Sequence, residues 1–119
     1  MSLLVPRVRI KDIRRIIGKI TRVKIIGKVI NKLEEPDSKL SRIIIHDGTG
    51  TIEVRIYWTS HYKSRIVNSI KKGDYLLVIG SLREWEKEVY VIADIARVIS
   101  EKLREYYDLR LMLIKDNIK

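Results

Sequence analysis

Cysteine is absent from the 119 residues, so disulfides and thiolate metal sites are both excluded. Histidine occurs only at His46 and His61, in separate segments, which is too sparse for a zinc site. No metal and no cofactor is therefore expected. Phenylalanine and glutamine are also missing, while charged residues make up 34% of the chain, a balance that suggests a thermophilic source. No apolar run approaches the roughly 20 residues of a membrane span. No short apolar segment with a small-residue cleavage site follows Met1. The expectation is a cytoplasmic protein with no membrane partner. Enzyme signatures are missing as well: there is no phosphate loop with Lys and Ser/Thr, no His-Glu-x-x-His and no Gly-x-Ser-x-Gly. A metal-dependent nuclease would need grouped acids. Glu34-Glu35 instead falls in a turn, and Glu84, Glu86 and Glu88 alternate with Trp85 and Lys87. Binding rather than catalysis is the expectation.

What is present is enough for one packed core: 45% of residues are hydrophobic, and the length suits a single domain. The net charge of +10 is unevenly placed. Residues 1–33 carry ten Lys or Arg against Asp12 alone, whereas the remaining residues carry fifteen against fourteen acids. A basic cluster at one end marks a polyanionic partner more readily than a general need for solubility.

Periodicity organises the chain. Residues 1–18 form a basic lead-in with Val8, Ile10, Ile13, Ile16 and Ile17. Residues 19–33 alternate as a strand, with Val23, Ile25, Val29 and Leu33 on the inward parity and Arg22, Lys24, Lys28 and Lys32 on the outward one. Gly27 within it predicts a bulge or bend. A turn at residues 34–38 leads to a second strand, Leu40–His46. Asp47-Gly48-Thr49-Gly50 supplies a tight turn into a third, Thr51–Trp58. Ser60 can cap a helix carrying Tyr62, Ile66, Val67 and Ile70, with stop signals at Lys71-Lys72-Gly73. A fourth strand, Asp74–Leu82, a charged connector, Arg83–Glu88, and a fifth strand, Val89–Val98, follow. Ser100 opens a C-terminal helix. Three strands, a helix and a closing pair match the partly open five-stranded OB barrel, an all-β core with helices. The barrel is assigned to residues 19–98 and the helix to 99–119, with an open α+β sheet as the competing architecture.

Three motifs resemble the OB domains of replication protein A and its telomere-capping relatives. The run from Ile43 to Val54, centred on Asp47-Gly48-Thr49-Gly50, resembles that family's signature turn. Gly80-Ser81-Leu82-Arg83-Glu84-Trp85 is similar to its Gly-x-Leu-Arg strand running into an aromatic, and Pro6–Ile13 is similar to its lead-in. The layout is most similar to the family's middle-sized subunit. The resemblance implies a groove that binds single strands by stacking bases on aromatic rings and tracking the backbone with cations. Trp85 is one expected ring, and Tyr57 or Trp58 the other. The family's strand-ending Trp aligns with Tyr57, so Trp58 reaches the groove only through a bulge. Tyr90, on the outward parity, is a third candidate. Arg55, Arg83, Lys24 and Lys28 are the candidate phosphate ligands.

The C-terminal helix is apolar around most of its circumference. Leu103, Tyr107, Leu111 and Ile114 form one stripe, and Tyr106, Leu109 and Leu113 a second beside it. Capping one barrel requires only the first. The second implies an interface, in a homo-oligomer or with partner subunits. The expected function is a single-stranded DNA-binding subunit of a replication or repair complex. An OB scaffold that chiefly binds protein and an RNA-binding module are the alternatives.

Overall fold

The computed structural model describes residues 5–35, 37, 39–58 and 61–117, and their side chains except those of 61–64 and 113–117. A 3-10 turn (Ile10–Asp12) runs into a single helical turn α1 (Ile13–Ile16). Five strands, β1 (Arg22–Glu35), β2 (Leu40–His46), β3 (Thr51–Tyr57), β4 (Tyr75–Trp85) and β5 (Glu88–Ile99), form a closed barrel in the order β1-β2-β3-β5-β4. Helix α2 (His61–Ser69) lies between β3 and β4, and α3 (Glu101–Asn117) follows β5. The expected cap Ser60 and the turn residues Pro36 and Ser38 lie outside the described residues. All pairs are antiparallel except β3–β5, a short parallel seam, Glu53–Arg55 against Tyr90–Ile92, that shuts the barrel.

One apolar cluster fills the interior. Val23, Ile25, Ile43, Ile45, Val54, Leu76, Val78 and Val91 are buried there from five strands. Val67 of α2 and Ile70 just past its end join this cluster. Ile10 and Ile13 of the lead-in join the same core, so the basic segment is built into the barrel. The Asp47 carboxylate fastens it: one oxygen accepts from the Ile10 N–H at 2.8 Å, the other from the N–H groups of Thr49 and Gly50 at 2.8 and 3.2 Å. The Asp-Gly-Thr-Gly turn thus holds the lead-in as well as reversing the chain, with Gly48 at φ +89°.

The first strand departs from its simple alternation. β1 pairs with β4 through Lys28 and with β2 from Lys28 onward, and its pairing to β2 skips Ile30. The irregularity sits three residues beyond Gly27. Gly27 instead serves close approach: a Cβ there would stand 3.0 Å from the Ile45 Cβ and 3.1 Å from the His46 carbonyl. Because a bulge inserts one residue, it reverses the parity beyond it. Leu33, expected inside, is 54% exposed. Lys32, expected outside, turns inward and donates to the carbonyls of Val67 and Ile70 at 2.5 and 3.0 Å. The ammonium thereby caps the C-terminal end of α2, where both the orphan carbonyls and the helix dipole favour a cation.

The expected charged connector is also different. β4 continues to Trp85 and β5 begins at Glu88, so only Glu86 and Lys87 turn the chain. Both have positive φ, 49° and 69°, as a two-residue hairpin turn that matches strand twist requires. A second irregularity faces Gly80: β5 skips Asp94 between Ala93 and Ile95. A Cβ on Gly80 would meet the Ile92 carbonyl oxygen at 2.2 Å, so only glycine fits there.

Candidate nucleic-acid interface

Residues directly opposite one another in a sheet share a face. Arg42 pairs with Arg55, Ile44 with Glu53, Glu53 with Tyr90, Tyr90 with Arg83, and Trp85 with Glu88. The outer wall of β2, β3, β5 and β4 therefore gathers Arg55, Tyr90, Arg83 and Trp85, with Tyr57 two residues beyond Arg55 on the same parity. Trp85 is 68% exposed and Tyr57 40%. The tip that carries Trp85 is tied down from outside the hairpin, since Arg14 Nη1 donates to the Lys87 carbonyl at 3.0 Å.

Arg55 is a cation of this wall held by two partners. Its Nε donates to Glu53 Oε2 at 2.6 Å, and its guanidinium carbon lies 3.8 Å from the Tyr90 ring centroid. Burial works against its charge, but the hydrogen bond and negative charge of Glu53 outweigh that effect, with help from Tyr57 and Tyr90. The net result is a pKa above the ordinary arginine value. A planar cation laid on an aromatic ring offers both a stacking surface and phosphate-binding donors. Burial and partners would hold it in place before any ligand arrives.

The neighbouring pair divides by parity. Tyr57 faces outward, whereas Trp58 lies beyond the end of β3 and packs against the core. The Trp58 indole N–H donates to Ser41 Oγ at 3.1 Å, and Ser41 is fully buried. No bulge turns Trp58 to the outer wall. Leu33 and Arg42, directly paired and both on this wall, were not anticipated from sequence. Arg42 could have been read from the outward parity of β2. Leu33 could not, because the bulge that exposes it leaves no mark at Ile30.

Lys24 and Lys28 stand elsewhere. Lys24 lies beneath α3, its ammonium 5.5 Å from the Tyr107 ring centroid. Lys28 lines a separate cleft with Tyr75, Arg104 and Asp108. Helix α3 covers this second part of the outer surface. Its Tyr107 packs on a small cluster of Ile26, Leu77 and Ile99. Asp108 accepts from Arg7 at 2.7 Å and from Arg104 at 3.0 Å. The Asp108 hydrogen bond, opposed by burial, leaves the Arg104 pKa above its ordinary value. Leu111 is also half-buried, while Leu103, Tyr106, Leu109 and Met112 are exposed. The expected interface residues therefore divide between a barrel-facing stripe and an exposed one. The side chains of Leu113 and Ile114 lie outside the described ones.

Residues 15–99, well over half of the chain, match the family described as OB-fold nucleic acid binding domain. The chain belongs to that family. The match starts in the lead-in turn and ends with β5, so it takes in the whole barrel of this OB-fold domain. No curated protein sequence matches the chain. Among solved structures, a chain of a replication protein A heterotrimer bound to single-stranded DNA superposes with a TM-score of 0.62 at 18% identity. The match covers 74% of this chain and 65% of that one, just under two thirds of its length. A chain of the S. pombe Stn1-Ten1 complex superposes with a TM-score of 0.68 at 17% identity, covering 83% of this chain and 74% of that one. At such identities the likeness is one of fold. No described helix is long and apolar enough to cross a membrane.

Proposed function

We propose that this OB-fold domain binds single-stranded nucleic acid, DNA in the first instance, on the outer wall of β2, β3, β5 and β4, and that it acts by binding rather than catalysis. The observation that carries the proposal is the alignment of an exposed Trp85, Tyr57 and the Arg55–Tyr90 stack on one wall, with Arg83 beside them. Aromatic faces accept any base, and each stacked base contributes about 1–3 kcal/mol. Arg42 and Arg83 supply phosphate contacts. Trp58, Lys24 and Lys28 are left out of this site, because Trp58 packs against the core and the two lysines lie on the α3 side of the barrel, away from the wall. The test is a titration with oligo-dT, oligo-U and a duplex at two salt concentrations. Single strands should bind in preference to duplex, whose bases are already stacked. With about three phosphates neutralised on the wall, the log–log salt slope for a short oligomer should be near −2, at roughly −0.7 per phosphate. Equal affinity for duplex would overturn the stacking mechanism, and preference for oligo-U would move the assignment to RNA.

Assembly is the second part of the proposal. Helix α3 is already satisfied against its own barrel through Tyr107 and Leu111, yet Leu103, Tyr106 and Leu109 remain exposed along another stripe. A replication or repair complex that engages this stripe fits the two structural neighbours, one from a heterotrimer and the other from a two-protein complex. Light scattering on the full chain, and on a Leu103→Glu/Tyr106→Glu/Leu109→Glu variant, tests it. The parent should self-associate or retain a partner from its native extract, and the variant should do neither.

A further inference from the structure

A cleft of about 480 Å³ opens between the lead-in and α3 and shares no residue with the stacking wall. Arg7, Arg9, Lys11 and Arg15 line it against a single acid, Asp12, with Leu111 of α3 contributing to its lining. Asp12 is engaged by Arg15 at 3.1 Å and Arg7 by Asp108 at 2.7 Å. Among the described residues, Arg9 and Lys11 have no carboxylate in ion-pair reach. Arg7 also keeps two buried donors, Nε and Nη1, without a hydrogen-bond partner among the described residues, an uncommon state for a guanidinium. Apolar lining from Val8, Ile16 and Ile20 lowers the dielectric around these cations, which focuses their field into the concavity.

These cations sit on a fixed frame. The backbone of Pro6 and Val8 exchanges hydrogen bonds with Lys24, at 2.9 and 3.0 Å. Ile10 is tied to Asp47, and Lys11 donates its N–H to Thr49 Oγ1 at 3.2 Å. The same short segment reaches the stacking wall: Arg14, one residue from Arg15, holds the carbonyl of Lys87, two residues beyond Trp85.

We propose that this cleft binds backbone phosphates of the nucleic-acid strand where it leaves the wall past Trp85, the strand crossing Arg14 and settling over Arg9, Lys11 and Arg15. The proposal rests on the stacking-wall reading and extends its footprint. It also gives the lead-in's excess positive charge a specific ligand, a phosphodiester chain. Phosphate chemistry would equally suit a soluble polyphosphate, so the experiment separates the two.

The test compares the full-length parent with an Arg9→Gln/Lys11→Gln/Arg15→Gln variant. Arg7 is left intact because it anchors α3, and an unchanged melting temperature confirms the fold. Oligo-dT of about 6 and about 16 nucleotides span the short and long ends of one OB site. The parent should bind the longer oligomer more tightly, with the steeper salt dependence. The variant should lose on the order of tenfold on the longer oligomer at low salt, with a slope shallower by about 2 for three cations, and should match the parent on the shorter one. Undiminished affinity for the longer oligomer overturns the proposal, as does an equal loss on both lengths. Pyrophosphate, titrated calorimetrically, should bind the parent far more weakly than the longer oligomer does. Tight pyrophosphate binding lost in the variant would identify a soluble-phosphate site and overturn the strand path. If the short oligomer binds and the longer gains nothing, only the cleft falls. If neither binds, the stacking wall falls first and the path with it.

Discussion

The two tryptophans sit in opposite environments, so truncating each should produce opposite phenotypes. Trp85 is 68% exposed at the end of β4. A Trp side chain offers roughly 200 Å², of which about a third is covered here, so Trp85→Ala should cost at most about 1–2 kcal/mol at ~25 cal/mol/Å². That is an upper estimate, since the unfolded chain buries part of this area too. The effect on binding should be larger, a loss of about 1–3 kcal/mol, or roughly five- to 150-fold, if one base stacks on the ring. Trp58→Ala removes a ring packed on the core and strips Ser41 Oγ, fully buried, of its indole donor. Truncation of a buried Trp costs about 3–5 kcal/mol; Trp58 is partly buried, so the lower end applies, and an orphaned buried hydroxyl adds to it. The melting temperature should fall by more than about 10 °C, at roughly 4 °C per kcal/mol for a domain of this size.

Fluorescence reads both residues. Trp58 and Trp85 are the only tryptophans, so Trp85→Phe leaves a protein whose emission reports the core alone and Trp58→Phe one that reports the wall alone. Oligo-dT should quench the second and leave the first nearly unchanged. Filter binding at matched salt then gives affinity for the alanine variants, and urea melts give stability. A Trp85→Ala protein that binds like the parent refutes the wall assignment. Quenching confined to the Trp58 emission would refute the stacking mechanism.

Three further outcomes follow from particular contacts. Gly80→Ala forces a Cβ to within 2.2 Å of the Ile92 carbonyl oxygen and 2.8 Å of a Val91 methyl, so it should destabilise by about 3 kcal/mol or more; a urea midpoint near the parent's would be inconsistent with this register. Lys32→Met takes the ammonium from the carbonyls of Val67 and Ile70 and should cost about 1–3 kcal/mol, whereas Leu33→Ala next to it should change stability by less than about 1 kcal/mol. The reverse order in thermal melts would restore the simple alternation of β1. Arg55 and Arg104 both have pKa values raised above the ordinary arginine value; a raised cationic pKa contributes stability that is full below the unfolded value and lost only as pH rises through the folded one. Neither arginine should therefore give any pH dependence of stability between about 5 and 9, which thermal melts across that range will check.

Most of the architecture was legible because its signals are local. A run of isoleucines marks β2, alternating Ile and Val marks β3 and a Gly-rich turn lies between them, and Ser100 followed by Glu101 marks the start of α3, where the Ser100 Oγ accepts from the Leu103 N–H at 3.1 Å. The placement of the candidate residues on the outer wall was legible where parity is uninterrupted, as at Arg55, Tyr57 and Tyr90. It was illegible past an irregular pairing. Lys32 and Leu33 exchange places because β1 inserts Ile30, and nothing in the side chains there announces the insertion. The connector around Trp85 looked like a loop because three glutamates interrupt it. Yet Glu86 and Lys87 alone, both with positive φ, complete the turn without Gly or Asn.

The irregularity in β5 does more than shift a register. Before it, Tyr90 and Ile92 point outward and take part in the wall with Arg55 and Arg83. After it, Ile95, Arg97 and Ile99 point outward and meet Ile79, Leu77 and Tyr75 of β4. Leu77 and Ile99 lie in the small cluster against which Tyr107 of α3 packs. A strand of constant parity would turn one of these two stretches into the core, so a single wall could not serve both. The skipped Asp94 lets one strand present two outward surfaces in succession, one open and aromatic, the other covered by a helix. Asp94 itself meets Arg22 at 3.0 Å at the start of β1. Gly80 is the residue that makes this possible, since only a backbone without Cβ lets β4 approach β5 where the parity changes. Substitution there should therefore disturb the wall and the helix together, whereas Trp85 and Tyr107 variants should each disturb only one.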